Sequence, residues 1–265
     1  PQQLGRNWTP DLPPAPYRSL CTDCGISRSS DPARCGKACQ FIKPDYAFLE
    51  EKVHGRSRDA SRPDEQHFGP FRQMLRARLV PPRAGAQWTG ITTRIAERLL
   101  ETGAVDAVLT MAPDPDDMWR PVPVIVTHAE GLQHCRGMRM GYAPLLALLE
   151  PAKAAGYRRL AVIGIPCQVY ALRALEDELG LERLYVIGTP CSDNTTTERF
   201  HEFLALLSEA PDTITYLDEG DWAVMHRAGV EIYDRAGTRV DRPAVKSVAS
   251  SLLVDKGNHR HFIAF

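Results

Sequence analysis

Leu160-Ala-Val-Ile-Gly164 runs into Ile165-Pro-Cys-Gln168, and Leu184-Tyr-Val-Ile-Gly188 runs into Thr189-Pro-Cys-Ser192. Each half is a short apolar run closed by Gly-x-Pro-Cys. Between them Val169, Leu172, Leu175 and Leu179 recur at spacings of three and four, with charges on the other side, which predicts a helix. A strand, turn, helix, strand unit with uniformly apolar strands predicts a parallel sheet covered on both faces. Parallel strands joined by a crossover are usually neighbours about 4.8 Å apart, so Cys167 and Cys191 are expected side by side at the carboxyl edge of the sheet. Open α/β sheets bind ligands at that edge. One cysteine in apolar surroundings reads first as core packing. Two at equivalent positions of a duplicated turn read as ligands, because amide donors and a helix N-terminus favour the thiolate.

Working outward, the 265-residue chain is 43% hydrophobic and 25% charged, enough for a good core and one or two domains. Its formal net charge of -1 gives no field that favours nucleic acid or an anionic membrane. No apolar run approaches the roughly 20 residues needed to cross a bilayer. The polar, proline-rich stretch from Pro1 to Pro16 has no signal-peptide core. A cytoplasmic location is therefore expected, where seven cysteines point to metal or redox ligands more than to disulfides.

Four of those thiols lie within 19 residues, as Cys21-Thr-Asp-Cys24-Gly25 and Cys35-Gly-Lys-Ala-Cys39, among Gly, Pro and Ser. That composition makes a ligand loop rather than a core element. Four thiolates suit either structural zinc or an iron–sulfur cluster, and spacing alone leaves the two about even. The duplicated Cys turns downstream tilt the reading toward redox, since a relay accounts for both sets and a zinc staple for one. From Pro44 to Pro82 the chain reads as surface connection, with one helix expected over Pro70–Leu79 on Phe71, Leu75 and Leu79. Arg56, Arg58, Arg62, Arg72, Arg76 and Arg78 make this stretch basic, either a solvated face or a docking patch for an acidic redox partner.

Gly85-Ala-Gln-Trp-Thr-Gly-Ile-Thr-Thr93 then opens a helix to about Glu101, with Ile91, Ile95, Ala96 and Leu99 as its apolar stripe. A Gly- and Thr-rich loop entering a helix can offer amides to a phosphate, although ordinary helices also begin this way. Strands are expected at Val105–Met111 and Pro121–Thr127, so the middle of the chain is α/β with a mostly parallel sheet and crossover helices. Cys135-Arg-Gly-Met-Arg-Met-Gly141-Tyr142 is either simple packing or the lining of a flat aromatic cofactor.

With these motifs in view, the chain resembles the family of deazaflavin-reducing hydrogenase beta subunits over about Trp8 to Leu217. The residues that carry the resemblance are Gly85–Thr93, Gly164–Arg173, Leu181–Asn194 and the early Cys-x-x-Cys-Gly. Within the family it is most similar to the branch of 7-hydroxymethyl chlorophyll reductase and ferredoxin-dependent 3,8-divinyl chlorophyllide 8-vinyl reductase. The resemblance implies FAD and two 4Fe-4S clusters, with reduced ferredoxin as donor and a chlorophyllide-type tetrapyrrole as substrate in (bacterio)chlorophyll biosynthesis. It assigns flavin contacts to Gln87, Trp88, Thr89, Gly90, Thr92, Met140, Gly141, Tyr142, Gln168 and Asn194. Cluster ligation falls to Cys21, Cys24, Cys35, Cys39, Cys167 and Cys191. The proton donor is unassigned, with Tyr142, His128, a bound water and solvent all open, and a homo-oligomer is left open too.

Two departures shape the expectations. Ser27 stands where the branch has the third cysteine of the first cluster, and Cys35 is expected to replace it. Relatives complete the second cluster from a longer carboxyl-terminal region; here Cys167 and Cys191 have only Cys135 as a further thiol in reach, so an impaired, truncated member is expected. The expected organisation is a Cys-rich segment at 1–80, an α/β flavin-binding domain at 81–210 and a partial carboxyl-terminal domain at 211–265. Two other classes remain open: an electron-transfer beta subunit of a larger complex, and a zinc-stapled α/β protein without redox role.

Overall fold

The computed structural model describes residues 7–14, 21–86, 88–137, 139–191, 195–208, 213–226 and 229–246. They fall into two units, Pro1–Thr197 and Glu198–Phe265. The first is built on a four-stranded sheet of β1 (Ala107–Asp114), β2 (Asp117–Val126), β3 (Arg159–Gly164) and β4 (Arg183–Gly188), in the order β2-β1-β3-β4. The duplicated strands pair in parallel and in register, from Arg159 opposite Arg183 to Gly164 opposite Gly188. β1 runs parallel to β3, while β2 returns antiparallel to β1 through a tight turn. The sheet is therefore mixed and mostly parallel, as the chain's alternation predicts.

Successive strand residues face opposite sides. Leu109, Ile125, Leu160 and Val162 pack on one face against Leu145, Leu146, Leu148 and Leu149, and against Leu172 and Leu175. Val108, Val124, Val126 and Ala161 pack on the other with Ala96, Val105 and Leu132. Helices α1 (Cys35–Ala38), α2 (Tyr46–His54) and α3 (Pro63–Phe68) precede the sheet. α4 (Ile91–Glu101) covers the second face with the 3-10 turn Ala129–Cys135. α5 (Leu149–Ala154) and α6 (Pro166–Leu175) cover the first. Each fully buried leucine contributes roughly 1.5–3 kcal/mol relative to exposure. The expected two-sided cover fails at β4, an edge strand whose residues are half-buried or exposed, with Tyr185 38% exposed.

Three other expectations are corrected. No helix forms over Pro70–Leu79, where the chain runs extended and largely exposed. A helix forms earlier, at Pro63–Phe68, because Pro63 starts it and Gly69, at φ +70°, ends it. In α4 the apolar stripe is displaced: Ala96 and Glu97 are buried while Ile95 is 46% exposed. Arg56, Arg58 and Arg62 also do not form an open basic patch. Arg56 clasps the buried Glu65 carboxylate with two bonds of 2.6 and 2.8 Å, and Arg62 joins at 2.9 Å. Arg58 pairs with Glu50.

These pairs carry a pH dependence. The Arg56 guanidinium, the Asp59 amide and Arg62 hold the Glu65 carboxyl down at about 2. At Asp106 burial pushes the carboxyl up, but the Arg159 guanidinium and the amides of Arg159 and Arg158 outweigh it and leave it below the ordinary value. Groups depressed in the folded state give stability that is complete above their unfolded pKa and is lost as pH falls through the folded one. The urea midpoint is therefore expected to hold above about pH 4.5 and to fall steadily toward pH 2. Glu65→Gln should flatten that slope; an unchanged slope would show that these pairs do not set it.

In the second unit, α7 (Thr197–Ser208) leads to short strands. β5 (Thr213–Thr215) pairs with β9 (Ala244–Lys246), and β6 (Trp222–His226), β7 (Gly229–Tyr233) and β8 (Arg239–Val240) form an antiparallel meander. Trp222 stacks on Tyr233 at 4.5 Å, and Arg242 bonds Asp221 at 2.7 and 3.0 Å. Among the described residues no helix is long and apolar enough to cross a membrane.

Candidate functional site

The carboxyl ends of the strands open into a cavity of about 960 Å³ within the first unit, near the upper end of the roughly 300–1,000 Å³ usual for small-molecule sites. Its floor is the duplicated turn: Ile163, Gly164, Ile165, Cys167 and Gln168 after β3, then Thr189, Pro190 and Cys191 after β4, with Thr110 and Met111 from β1. One wall is the entry to α4, Trp88 to Thr93. A second is the Arg/Met loop, with Cys135, Arg136 and Arg139 to Ala143. Thr22 to Cys24 and Arg76 to Arg78 complete it. The cavity thus gathers Trp88, Thr89, Gly90, Thr92, Met140, Gly141, Tyr142 and Gln168 from distant parts of the chain, together with Cys24, Cys167 and Cys191. Gln87 and Asn194 lie outside the described residues. His128 does not line the cavity; its Nδ1 stands 2.9 Å from the Thr127 hydroxyl.

Each wall is fixed by backbone features the sequence permits. Gly90, at φ +87°, is the N-cap of α4, and no side chain caps the helix, so its first amides are unclaimed by a cap where they meet the cavity. A Cβ on Gly90 would come within 2.9 Å of the Arg83 Cβ. Gly141, at φ +143°, leaves room for the Thr197 hydroxyl, which bonds the Met140 carbonyl at 3.3 Å. Gln168 lines the cavity, yet its amide is spent on the backbone: Oε1 accepts from Ile165 N at 3.1 Å and Nε2 donates to the Ala143 carbonyl at 3.2 Å. It thereby ties the duplicated turn to the Arg/Met loop.

Sequence reading missed Glu97. Its buried carboxylate bonds Arg83 at 2.8 Å, Arg94 at 3.3 Å and Arg136 at 3.0 Å, joining the entry of α4 to the Arg/Met loop. The one available signal was an acid amid a helix face that turned out to be buried. Asn7 was missed too; it donates to the Gly131 carbonyl at 2.8 Å and stands 3.8 Å from the Cys135 sulfur.

The cysteines separate by environment. Cys35 opens α1 and Cys39 follows it, while Cys21 and Cys191 are exposed. Burial pushes the Cys24 thiol up to about 12, with a lowering bond from the Ile26 amide and further upward pressure from Cys35, Cys167 and Cys39. Cys35 is raised by burial and by Cys21 and Cys39; Cys167 is raised by burial and by Cys191 and Cys39. The early set and the duplicated turn thus stand within charge range of one another. Cys135 does not join them: burial drives it up to about 12, and Arg139, not another thiol, is the charge that acts on it. It nevertheless lines the same cavity as Cys167 and Cys191. Among the described residues no three Cys, His, Asp or Glu side chains converge on one metal-ligating point. The donors nevertheless fit an iron–sulfur group in kind, because soft thiols crowded out of water gain by exchanging protons for iron.

The Cys24 backbone is clamped: its carbonyl accepts from Leu146 N at 2.9 Å, and Gly25 follows at φ +109°. A Cβ on Gly25 would lie 2.7 Å from the Pro144 carbonyl oxygen and 2.8 Å from Leu146 N. Gly25→Ala adds that overlap to the cost of a left-handed conformation and is expected to destabilise the chain by about 2 kcal/mol or more, read as a lower urea midpoint. Wild-type stability would show that the clamp is not rigid.

Residues 74–150 match the model of the coenzyme F420 hydrogenase/dehydrogenase beta subunit, amino-terminal part, and residues 157–243 match its carboxyl-terminal part. An uncharacterized protein of Nostoc sp. is 40% identical over 203 residues, 77% of this chain and 51% of that protein. The chloroplastic 7-hydroxymethyl chlorophyll a reductase of Oryza sativa is 39% identical over 213 residues, 78% of this chain and 45% of the enzyme. The chain spans about half the length of these curated relatives. A separate 57-residue match, 22% of this chain, is 54% identical to 9% of the glutamine–fructose-6-phosphate aminotransferase of Brucella abortus. Among solved structures, a chain of the F420-reducing [NiFe] hydrogenase complex from Methanosarcina barkeri aligns with a TM-score of 0.44 at 21% identity, covering 61% of this chain and 55% of that one.

Proposed function

The chain belongs to the coenzyme F420 hydrogenase/dehydrogenase beta-subunit family, and from that premise we propose that it is the flavin- and iron–sulfur-bearing part of a ferredoxin-dependent reductase of chlorophyll-type tetrapyrroles. The supporting observation is one cavity into which the α4 entry, the Arg/Met loop, the duplicated turn and the segment Thr22 to Cys24 converge. FAD is the proposed occupant, its pyrophosphate at the uncapped amides of α4 and at Arg136 and its ring along Met140 to Tyr142. Cys21, Cys24, Cys35 and Cys39 are the proposed ligands of one 4Fe-4S cluster, and Cys167 and Cys191 contribute to a second. When bound, the clusters accept single electrons and the flavin pairs them for two-electron reduction.

The substrate reaction consumes two electrons and two protons, so two reduced ferredoxins serve each turnover. An 8-vinyl group becomes an ethyl group; a 7-hydroxymethyl group becomes a methyl group with release of water. The first is the preferred reading, and identity to the rice enzyme favours the second. Either requires a protic group near the reacting carbon. Tyr142 lines the cavity and His128 does not, so Tyr142 or water held there is the proposed donor.

The deciding experiment is an anaerobic visible spectrum with flavin, iron, acid-labile sulfide and zinc counts, followed by turnover of divinyl chlorophyllide and of 7-hydroxymethyl chlorophyll a with reduced ferredoxin. Flavin with iron, sulfide and reduction of either pigment supports the reading. A colourless chain holding zinc overturns it. Flavin and iron with neither pigment reduced points to the electron-transfer subunit of a larger complex.

A further inference from the structure

Beyond the pocket for the flavin, two arginines on the extended segment that leads to α4 have no role in the reading above. Arg76 and Arg78 are exposed and also line the cavity, which places them at its opening. Among the described residues neither makes an ion pair, unlike Arg56, Arg58 and Arg62 on the same stretch. They are two apart in extended chain, so their side chains leave on the same side, roughly 6–7 Å apart along the backbone. The rest of the lining has little to neutralise them. Its carboxylate, Asp23, is bonded to Arg28 at 2.6 Å. Trp88 lines the same cavity, in a loop tied to the arginine segment by the Leu79 N bond to Thr89 Oγ1 at 3.2 Å; it is 68% exposed and held at φ +53°, a left-handed backbone that a bulky residue adopts only at a cost. A large exposed ring beside two uncommitted guanidiniums is chemistry for a flat apolar molecule with an acid at its edge.

We propose that Arg76 and Arg78 bind the free carboxylate of the substrate while its macrocycle lies against Trp88, so that the enzyme selects tetrapyrrole acids over their esters. The proposal rests on the tetrapyrrole-reductase reading and names the form of substrate that reading would take. The same guanidiniums could instead hold a flavin phosphate, since both ligands offer anionic oxygen. Position favours the substrate: the flavin pyrophosphate has the amides of α4, whereas Arg76 and Arg78 lie at the solvent side.

The test uses chlorophyllide a and its methyl ester, titrated anaerobically by pigment fluorescence into the flavin-loaded protein and into the Arg76→Gln/Arg78→Gln double variant. Both positions are exposed, so the variant is expected to fold, with its urea midpoint as the check. Wild type should bind the acid at least tenfold more tightly than the ester; the variant should bind both with the wild-type affinity for the ester and keep its full flavin content. Equal binding of acid and ester by wild type overturns the proposal and leaves the reductase reading standing. Loss of flavin from the variant overturns it in favour of the phosphate. Binding of neither pigment to the loaded wild type overturns the reductase reading and the proposal with it.

Discussion

Cys24→Ser protein, purified anaerobically, is expected to lose at least nine-tenths of the iron and acid-labile sulfide of the cluster proposed for the early cysteines, on the order of four irons per chain for one 4Fe-4S cluster. Of that set Cys24 is the member most enclosed by the fold. It packs against the same core as Leu146 and Leu149, its carbonyl is fixed by Leu146 N, and Gly25 turns the chain away directly behind it. A serine there keeps the volume but offers a hard, reluctant oxygen in place of a soft sulfur. Cys135→Ser is the matching control: this thiol is equally buried but sits with Asn7, Gly131 and Arg139, so iron should stay at the wild-type level. Equal iron in Cys24→Ser and wild type would remove the early cysteines from the cluster. Loss in Cys135→Ser would restore that residue as a ligand.

The sheet was legible because the duplicated stretch carries two kinds of signal at once, apolar runs of strand length and a helical period between them. Register followed as well, since Gly164 and Gly188 end equivalent runs and lie opposite each other. The extent of cover was not legible. An apolar run reads the same in a central and an edge strand, and only the strand order reveals that β4 lies at the edge, where Tyr185 is partly exposed. Pro70–Leu79 misled for a related reason: Phe71, Leu75 and Leu79 have helical spacing, but Gly69-Pro70 ends one helix and the segment beyond finds no core to pack on. The basic stretch could not be divided from sequence, because whether an arginine is free depends on acids such as Glu50 and Glu65 that the fold brings to it. In the second unit, the strands Thr213–Thr215 and Trp222–His226 carry β-branched and aromatic residues that favour extended chain.

Glu97→Ala is expected to have the larger effect on the cavity even though Glu97 does not line it. The carboxylate is 7% exposed and is shared by three guanidiniums: Arg83 ahead of the glycine loop, Arg94 one turn back on α4, and Arg136 on the Arg/Met loop. Removing it leaves Arg136, only 17% exposed, without its acid in a wall that already buries its Nε without a hydrogen-bond partner. Breaking a buried pair from one side costs about 3–5 kcal/mol. Arg83 and Arg94 are 41% and 33% exposed, so water compensates them and the lower end of that range is expected. The site should suffer more than the fold. The first amides of α4 and the Arg136 guanidinium meet the cavity from two elements that Glu97 holds together, so their relative position slackens when it goes. Flavin affinity should fall by about two orders of magnitude or more, while far-UV circular dichroism of the folded variant stays that of wild type. Glu97→Gln separates charge from shape: it can still accept one bond from a guanidinium, so it should recover part of the stability and less of the flavin affinity. If Glu97→Ala bound flavin as wild type does, the three-arginine junction would be a stabilising feature of α4 alone, and the anion-binding wall would have to be rigid without it.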